Sequence, residues 1–245
     1  PYSIVGPEVN AAEVALSDAL TYVQKHSAPF ALVIKKGTFS TFTGDKRDTV
    51  SFELTREAAI QQVLEFLDER AVIVSTTGMA SREVYEHRVK KKQGHERDFL
   101  TVGGMGHASQ IALGVALQRP DRSVYCLDGD GALLMHMGAL PIAGALKPDN
   151  FKHIVLNNAA HDSVGGQATV GLDIDILGIA RACSYRLVLQ AETPQELQAC
   201  LKELQQSKGP CLLEIRIRRG ARKDLGRPAT TPVENKHAFM KFIQG

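Results

Sequence analysis

The sequence predicts an α/β fold, a doubly wound and mostly parallel sheet flanked by helices. Three observations predict it. From residue 55 onward, short apolar runs of strand length alternate with segments of helical period. Two of those runs, SVYCLD and FKHIVLNN, end in polar residues that a parallel sheet would place on one edge. The chain is 44% hydrophobic and 23% charged, the balance of a globular protein with a sizeable core.

Residues 9–26 (VNAAEVALSDALTYVQKH) carry apolar side chains at helical spacing, and PFALVIKKG reads as a short buried strand closed by Gly37. Residues 38–53 are polar and aperiodic, which predicts a linker or domain edge. Thr55 can cap a helix over 55–69, with Ile60, Val63, Leu64 and Leu67 facing inward. AVIVST (71–76) is a strand, and GHASQIALGVAL (106–117) a helix rich in small residues. SVYCLD (123–128) is a strand, ALLMHMGALPIAGAL (132–146) one helix with Pro141 inside it, and FKHIVLNN (151–158) a strand. A helix over 173–183, a strand over 185–190, a well-capped helix over 193–207 and a strand over 210–217 complete the alternation. A basic tail with Pro and Gly precedes a short final helix.

The net charge of +2 gives no reason to expect nucleic acid or an anionic membrane as partner. No apolar run approaches the roughly 20 residues needed to cross a bilayer. The four cysteines have no CxxC spacing, so reduced thiols and a cytoplasmic location are expected. The first residue is Pro1, so a fragment or a processed chain is expected.

DGDG at 128–131 and NN at 157–158 lie about 25 residues apart, room for one helix and one strand. Right-handed crossovers keep such consecutive strands close, so Asp130 and Asn158 should arrive side by side. Gly129 and Gly131 let the backbone turn sharply and approach a ligand. A helix starting near Ala132 aims free N–H groups at the same point. A carboxylate, an amide oxygen and a helix N-terminus suit magnesium carrying a phosphate. No GK[ST] follows, so this is no P-loop; neither G-x-G-x-x-G nor the spacing of a calcium loop is present.

GDG followed after about 25 residues by NN resembles the magnesium–diphosphate motif of thiamine diphosphate enzymes. TTGMASRE (76–83), VGGMGHASQIALG (102–114), NNAAHDSVGGQAT (157–169) and RKDLGRPATTPVENK (222–236) narrow the resemblance to phosphonopyruvate decarboxylases and the related sulfopyruvate decarboxylases. The match runs from about residue 54 to the end. It implies that 1–42 is the C-terminal remnant of a pyrimidine-binding domain, 43–53 a linker, and 54–245 the diphosphate- and magnesium-binding domain with its basic tail. It also implies roles. Asp130, Asn158 and the Ala160 carbonyl would hold Mg2+. Thr77, Gly78, Gly129, Gly131 and Ala132 would surround the diphosphate. The Gly103 carbonyl would accept from the pyrimidine 4′-amino group, and Met105 would prop the cofactor into its bent shape.

The implied reaction is decarboxylation of 3-phosphonopyruvate to phosphonoacetaldehyde and CO2, the chemistry residing largely in the cofactor. His161, Asp162 and Ser163 are the candidate catalytic residues beside the reacting carbons, with His161 the proton-relay candidate by residue type. Arg222 and Arg227 are candidates for the substrate's anionic end, since arginine's planar fork suits such groups. The implied partners are a small 2-oxo acid and the pyrimidine-binding domain of a partner subunit in a homo-oligomer.

Two departures stand out. The family tends to glycine where Ala159 stands. Its activating glutamate, which partners N1′, lies early in the pyrimidine-binding domain, whereas only Glu8 and Glu13 precede residue 50 here. The alternatives are therefore a sulfopyruvate decarboxylase, or a cofactor-binding module that is inactive by itself.

Overall fold

The computed structural model describes residues 1–40 and 51–245. The chain divides into two compact units, Pro1–Thr49 and Val50–Gly245. Most of the expected linker 43–53 lies outside the described residues. In the first unit β1 (Tyr2–Val5) pairs in parallel with β2 (Ala31–Ile34), and α1 (Val9–His26) joins them. The sequence reading missed β1, whose four residues are too few to establish a period. Val5 and Ala19 are buried in this unit, while Tyr2, Ile4, Val14 and Leu20 remain exposed.

The second unit holds α2 (Arg56–Phe66), β3 (Val72–Ser75), α3 (Met79–Lys90), β4 (Asp98–Leu100), α4 (Ala108–Gln118) and β5 (Val124–Gly129). Then come α5 (Asp130–Met135), α6 (Ala139–Leu146), β6 (Phe151–Asn157), β7 (Ala160–His161), a 3-10 turn (Asp162–Val164) and β8 (Gln167–Ala168). The unit closes with α7 (Ile176–Ala182), β9 (Leu187–Ala191), α8 (Pro194–Gln206), β10 (Cys211–Arg216) and α9 (Pro232–Gln244). Six strands form one sheet in the order β4-β3-β5-β6-β10-β9, every neighbouring pair parallel. The small β7–β8 pair is an antiparallel hairpin beside it.

Alternation along the strands feeds two cores. Ile73, Leu127, Ile154 and Leu213 face one layer, packed under α2, α3 and α8. Val72, Val74, Cys126 and Leu212 face the other, under α4, α6, α7 and α9. Both faces are covered, as a parallel sheet requires, and this is why its strands read as nearly continuous apolar runs. All four cysteines are free thiols, two of them buried. No helix among the described residues is long and apolar enough to cross a membrane.

Several sequence expectations need correction. The strand expected to be buried, β2, is mostly exposed, with Val33 and Ile34 on the surface. The single helix over 132–146 is two helices. The chain leaves helical geometry at His136 and resumes at Ala139. Pro141 then falls in the first turn of α6, where a missing N–H costs nothing. Helix α3 was not anticipated because its buried face includes Glu83, His87 and Arg88, so no apolar stripe marks it. Arg88 reaches Asp98 through Nε at 2.9 Å and Nη2 at 3.0 Å, both side chains fully buried. That pairing also explains β4, a three-residue strand beginning with an aspartate.

Candidate functional site

The winding of the sheet reverses between β3 and β5: the chain leaves β3 for β4 on one side and comes back to β5 on the other. At such a switch point the carboxyl ends of the strands open a crevice. A cavity there is lined by Thr76, Thr77, Met105, Gly129, Asp130, Gly131, Ala132, Asn158, Ala160, His161, Asp162 and Ser163, together with Arg56. Nearly all the residues singled out from the sequence thus meet in one place. Gly103 joins them through its N–H, which donates to Thr77 Oγ1 at 3.2 Å.

Asp130 opens α5 directly after β5 and is 1% exposed. Burial pushes its carboxyl above the ordinary value, opposed by the Thr169 hydroxyl and by the Asn158 backbone N–H. The other buried acids each face a basic side chain: Glu83 faces Arg56, Asp98 faces Arg88, Glu214 faces Arg216 at 3.6 Å, and Asp128 faces His153. Among the described residues no lysine or arginine forms an ion pair with Asp130. A buried carboxylate without a cation is costly, and a metal ion would remove that cost.

The two asparagines divide the work. Asn157 fastens the loop: Nδ2 donates to Gly171 O at 2.7 Å and Glu214 Oε1 at 2.6 Å, and Oδ1 accepts from Ala159 N–H at 3.1 Å. Asn158 faces the cavity. Its Oδ1 accepts from Ala160 N–H at 3.1 Å, and its Nδ2 donates to Asp162 Oδ2 at 2.6 Å. Between Asn158 and Ala160, Ala159 turns the chain with φ 50°.

The phosphate side lies at the start of α3. Gly78 precedes that helix with φ 101°, a conformation glycine adopts freely. The Thr76 hydroxyl is buried there with no hydrogen-bond partner. An orphaned hydroxyl beside a helix N-terminus is the environment a phosphate oxygen satisfies. The His161 ring lies against Gly131, so close that a Cβ there would collide with it. Ser163 sits similarly over Gly78. The donor set, one buried carboxylate, amide and carbonyl oxygens and a helix N-terminus, fits a magnesium diphosphate.

Several residues of the site had no signal in the sequence. Arg56 donates to Glu83 at 2.9 and 3.2 Å and to Asp162 Oδ2 at 3.0 Å. Asp162 Oδ2 also accepts from Gly220 N–H at 2.9 Å, so this carboxylate is a hub of the loop's own hydrogen bonds. Thr169 hydrogen-bonds Asp130 through its hydroxyl and donates its N–H to Ala159 O at 3.1 Å. Arg222 lies outside the main cavity, and its guanidinium faces Glu57, Glu86 and Asp224. Arg227 is exposed. Beneath the site Cys126, Asp128 and His153 form a fully buried cluster of metal-ligating types. Both His153 ring nitrogens are already occupied, by Tyr185 Oη at 3.3 Å and Asp128 Oδ2 at 3.4 Å, so a hydrogen-bond network accounts for the cluster.

Comparison with known proteins places this geometry. Residues 76–215 match the family model described as thiamine pyrophosphate enzyme, C-terminal TPP binding domain. A phosphonopyruvate decarboxylase of Streptomyces viridochromogenes is 41% identical over 189 residues, 77% of this chain and 46% of that protein. A sulfopyruvate decarboxylase subunit beta of Methanocaldococcus jannaschii is 32% identical over 188 residues, 76% of this chain and 95% of that subunit. The chain thus spans about half the length of the phosphonopyruvate decarboxylases it matches. Among solved structures, a thiamine diphosphate-dependent 4-hydroxybenzoylformate decarboxylase of Rhodococcus jostii superposes with a TM-score of 0.57 at 21% identity, covering 74% of this chain and 36% of that one. A benzoylformate decarboxylase of Polynucleobacter necessarius gives 0.59 at 20% identity, covering 75% and 36%. These structural likenesses bear on the fold.

Proposed function

The chain belongs to the thiamine pyrophosphate enzymes, matching their C-terminal cofactor-binding domain, and from that premise we propose that it carries the diphosphate- and magnesium-binding half of a 2-oxo acid decarboxylase acting on 3-phosphonopyruvate. The observation that carries the reading is Asp130 beside Asn158 at the switch point, buried and, among the described residues, without a lysine or arginine partner. Asp130, the Asn158 amide and the Ala160 carbonyl would hold Mg2+. Thr76, Thr77 and the start of α3 would take the diphosphate oxygens, and Met105 and the Gly103 carbonyl would meet the rest of the cofactor. Bound there, thiamine diphosphate supplies a nucleophilic carbon and an electron sink for loss of carbon dioxide.

The chain's own residues orient and protect that chemistry. Asn157 and Thr169 fix the metal loop. Asp162, held by three donors, sets the Asn158 amide. His161, over Gly131, is the group placed to carry a proton at the cavity mouth. The tail supplies cations for the substrate's anionic end: Arg227 is exposed, while Arg222 must first exchange a carboxylate partner. The activating carboxylate at N1′ comes from a pyrimidine-binding domain. One observation favours a second reading, a sulfopyruvate decarboxylase with separate subunits: the beta subunit matched here is nearly covered by this chain. Phosphonate and sulfonate are both tetrahedral anions and ask the same of the site.

Equilibrium dialysis of labelled thiamine diphosphate against the assembled enzyme, titrated with Mg2+, tests the core of this reading. Asp130→Ala is expected to abolish magnesium-dependent retention. Unchanged affinity in that variant would remove Asp130 from the metal site.

A further inference from the structure

We infer that Arg219, on the segment leaving β10, is a positioning residue that holds the metal loop in its working shape; this rests on the magnesium–diphosphate reading of Asp130 and Asn158. Strands β6 and β10 run in parallel with Arg216 opposite Asn157, and the ladder ends where Ile217 N–H donates to Asn157 O at 2.9 Å. Beyond that point a side chain continues what the backbone ladder began. Arg219 Nε donates to Asn158 O at 3.2 Å, and its Nη2 donates to Ala159 O at 2.8 Å. One planar guanidinium therefore spans two successive carbonyls, a geometry that lysine, a point donor, does not reproduce. Among the described residues Arg219 forms no ion pair with a carboxylate, so its charge is directed at the loop.

The loop needs such a brace at this place. Ala159 sits at φ 50°, the left-handed region that a Cβ disfavours. If Ala159 relaxes, the Asn158 amide and the Ala160 carbonyl on either side of it no longer converge. Arg219 grips the carbonyls of Asn158 and Ala159 and opposes that relaxation, and Gly220 N–H reinforces it by holding Asp162 at 2.9 Å. Where the loop carries glycine at this position, the brace is dispensable; with alanine it is not. Arg219 thereby acts through Asn158 and Ala160, without touching metal or substrate.

The same dialysis measures it, with the Mg2+ concentration for half-maximal thiamine diphosphate retention as readout. Wild-type protein must first show magnesium-dependent retention that Asp130→Ala abolishes; failure here sinks the parent reading and is recognisable as such. Given that control, Arg219→Ala is expected to raise the Mg2+ requirement about 10- to 100-fold, with retention restored at high Mg2+. Arg219→Lys is expected to recover only part of the loss. Ala159→Gly, nearly silent alone, is expected to recover up to about tenfold in the Arg219→Ala background. An unchanged Mg2+ requirement in Arg219→Ala overturns the inference. So does strict additivity with Ala159→Gly, or a loss that no Mg2+ concentration restores and that follows a lowered melting temperature.

Discussion

At the scale of single residues, the site is made of ordinary side chains given unusual surroundings. Among the described residues the other buried acids each face a basic side chain, Glu83, Asp98 and Glu214 an arginine and Asp128 His153, whereas Asp130 has no ion-pair partner, and that difference marks it. The tail arginines differ from one another in the same way. If they meet the substrate's anion, Arg222→Ala and Arg227→Ala in the assembled enzyme should each lower kcat/KM for phosphonopyruvate strongly, and for pyruvate far less. Removing a charge-assisted contact of this kind costs about 1.5–3 kcal/mol, or roughly 10- to 100-fold. Equal losses on both substrates would place these arginines elsewhere. His95 illustrates a titration that belongs to folding. Burial holds its pKa below the ordinary 6.5, and its ring stacks on Tyr85 with centroids 4.0 Å apart. The fold therefore favours neutral His95, a contribution present above 6.5 and lost as the pH falls through the depressed value. His95→Phe keeps the stacking and removes the proton, so its melting temperature should fall less than wild type on acidification. Identical acid profiles for the two proteins would show that His95 contributes nothing to the pH dependence.

At the scale of elements, the edge of the sheet shows how α9 is recruited. Edge strand β4 offers unpaired backbone groups, a liability that natural sheets cover. Asn235 in α9 covers them: Nδ2 donates to Asp98 O at 2.8 Å, and Oδ1 accepts from Leu100 N–H at 3.0 Å. One side-chain amide thus takes the place of one residue of a further strand. Asn235→Ala leaves both buried backbone groups unpaired and should cost about 1–3 kcal/mol, read as a lower denaturant midpoint at unchanged slope. Because β4 leads into Gly103 and Met105, the same variant should also loosen the loop over the cofactor site. A midpoint equal to wild type would show that solvent replaces the amide freely.

At the scale of the molecule, the two units are unequal. The second has two apolar cores around a complete sheet, whereas the first is a two-stranded unit with much of its apolar surface exposed. The proposed chemistry needs a carboxylate against the cofactor's pyrimidine, and neither Glu8 nor Glu13 stands in the segment that supplies it in the family. The 245-residue polypeptide by itself should therefore fall far below the usual turnover of about 1–1000 per second with phosphonopyruvate, thiamine diphosphate and Mg2+. Adding a polypeptide that carries the pyrimidine-binding domain should raise it. Ordinary turnover by the 245 residues alone would refute the division of labour.

The sequence by itself determined the parallel α/β architecture, because buried strands and amphipathic helices leave different periods in the chain. It also brought Asp130 and Asn158 together, because a βαβ unit leaves little freedom in where consecutive strands end. It overran the break at His136, since one apolar pattern can continue across two short helices. Arg56, Thr169, Arg219 and the Arg88–Asp98 pair only the tertiary structure decided. Each is a polar side chain whose partner is distant in sequence, or in an irregular loop, and its meaning comes from low-dielectric surroundings that no local pattern records. The metal loop joins the two kinds of information. Its motif is local, but the segment that braces it lies some 60 residues further on, brought alongside by the pairing of β10 with β6.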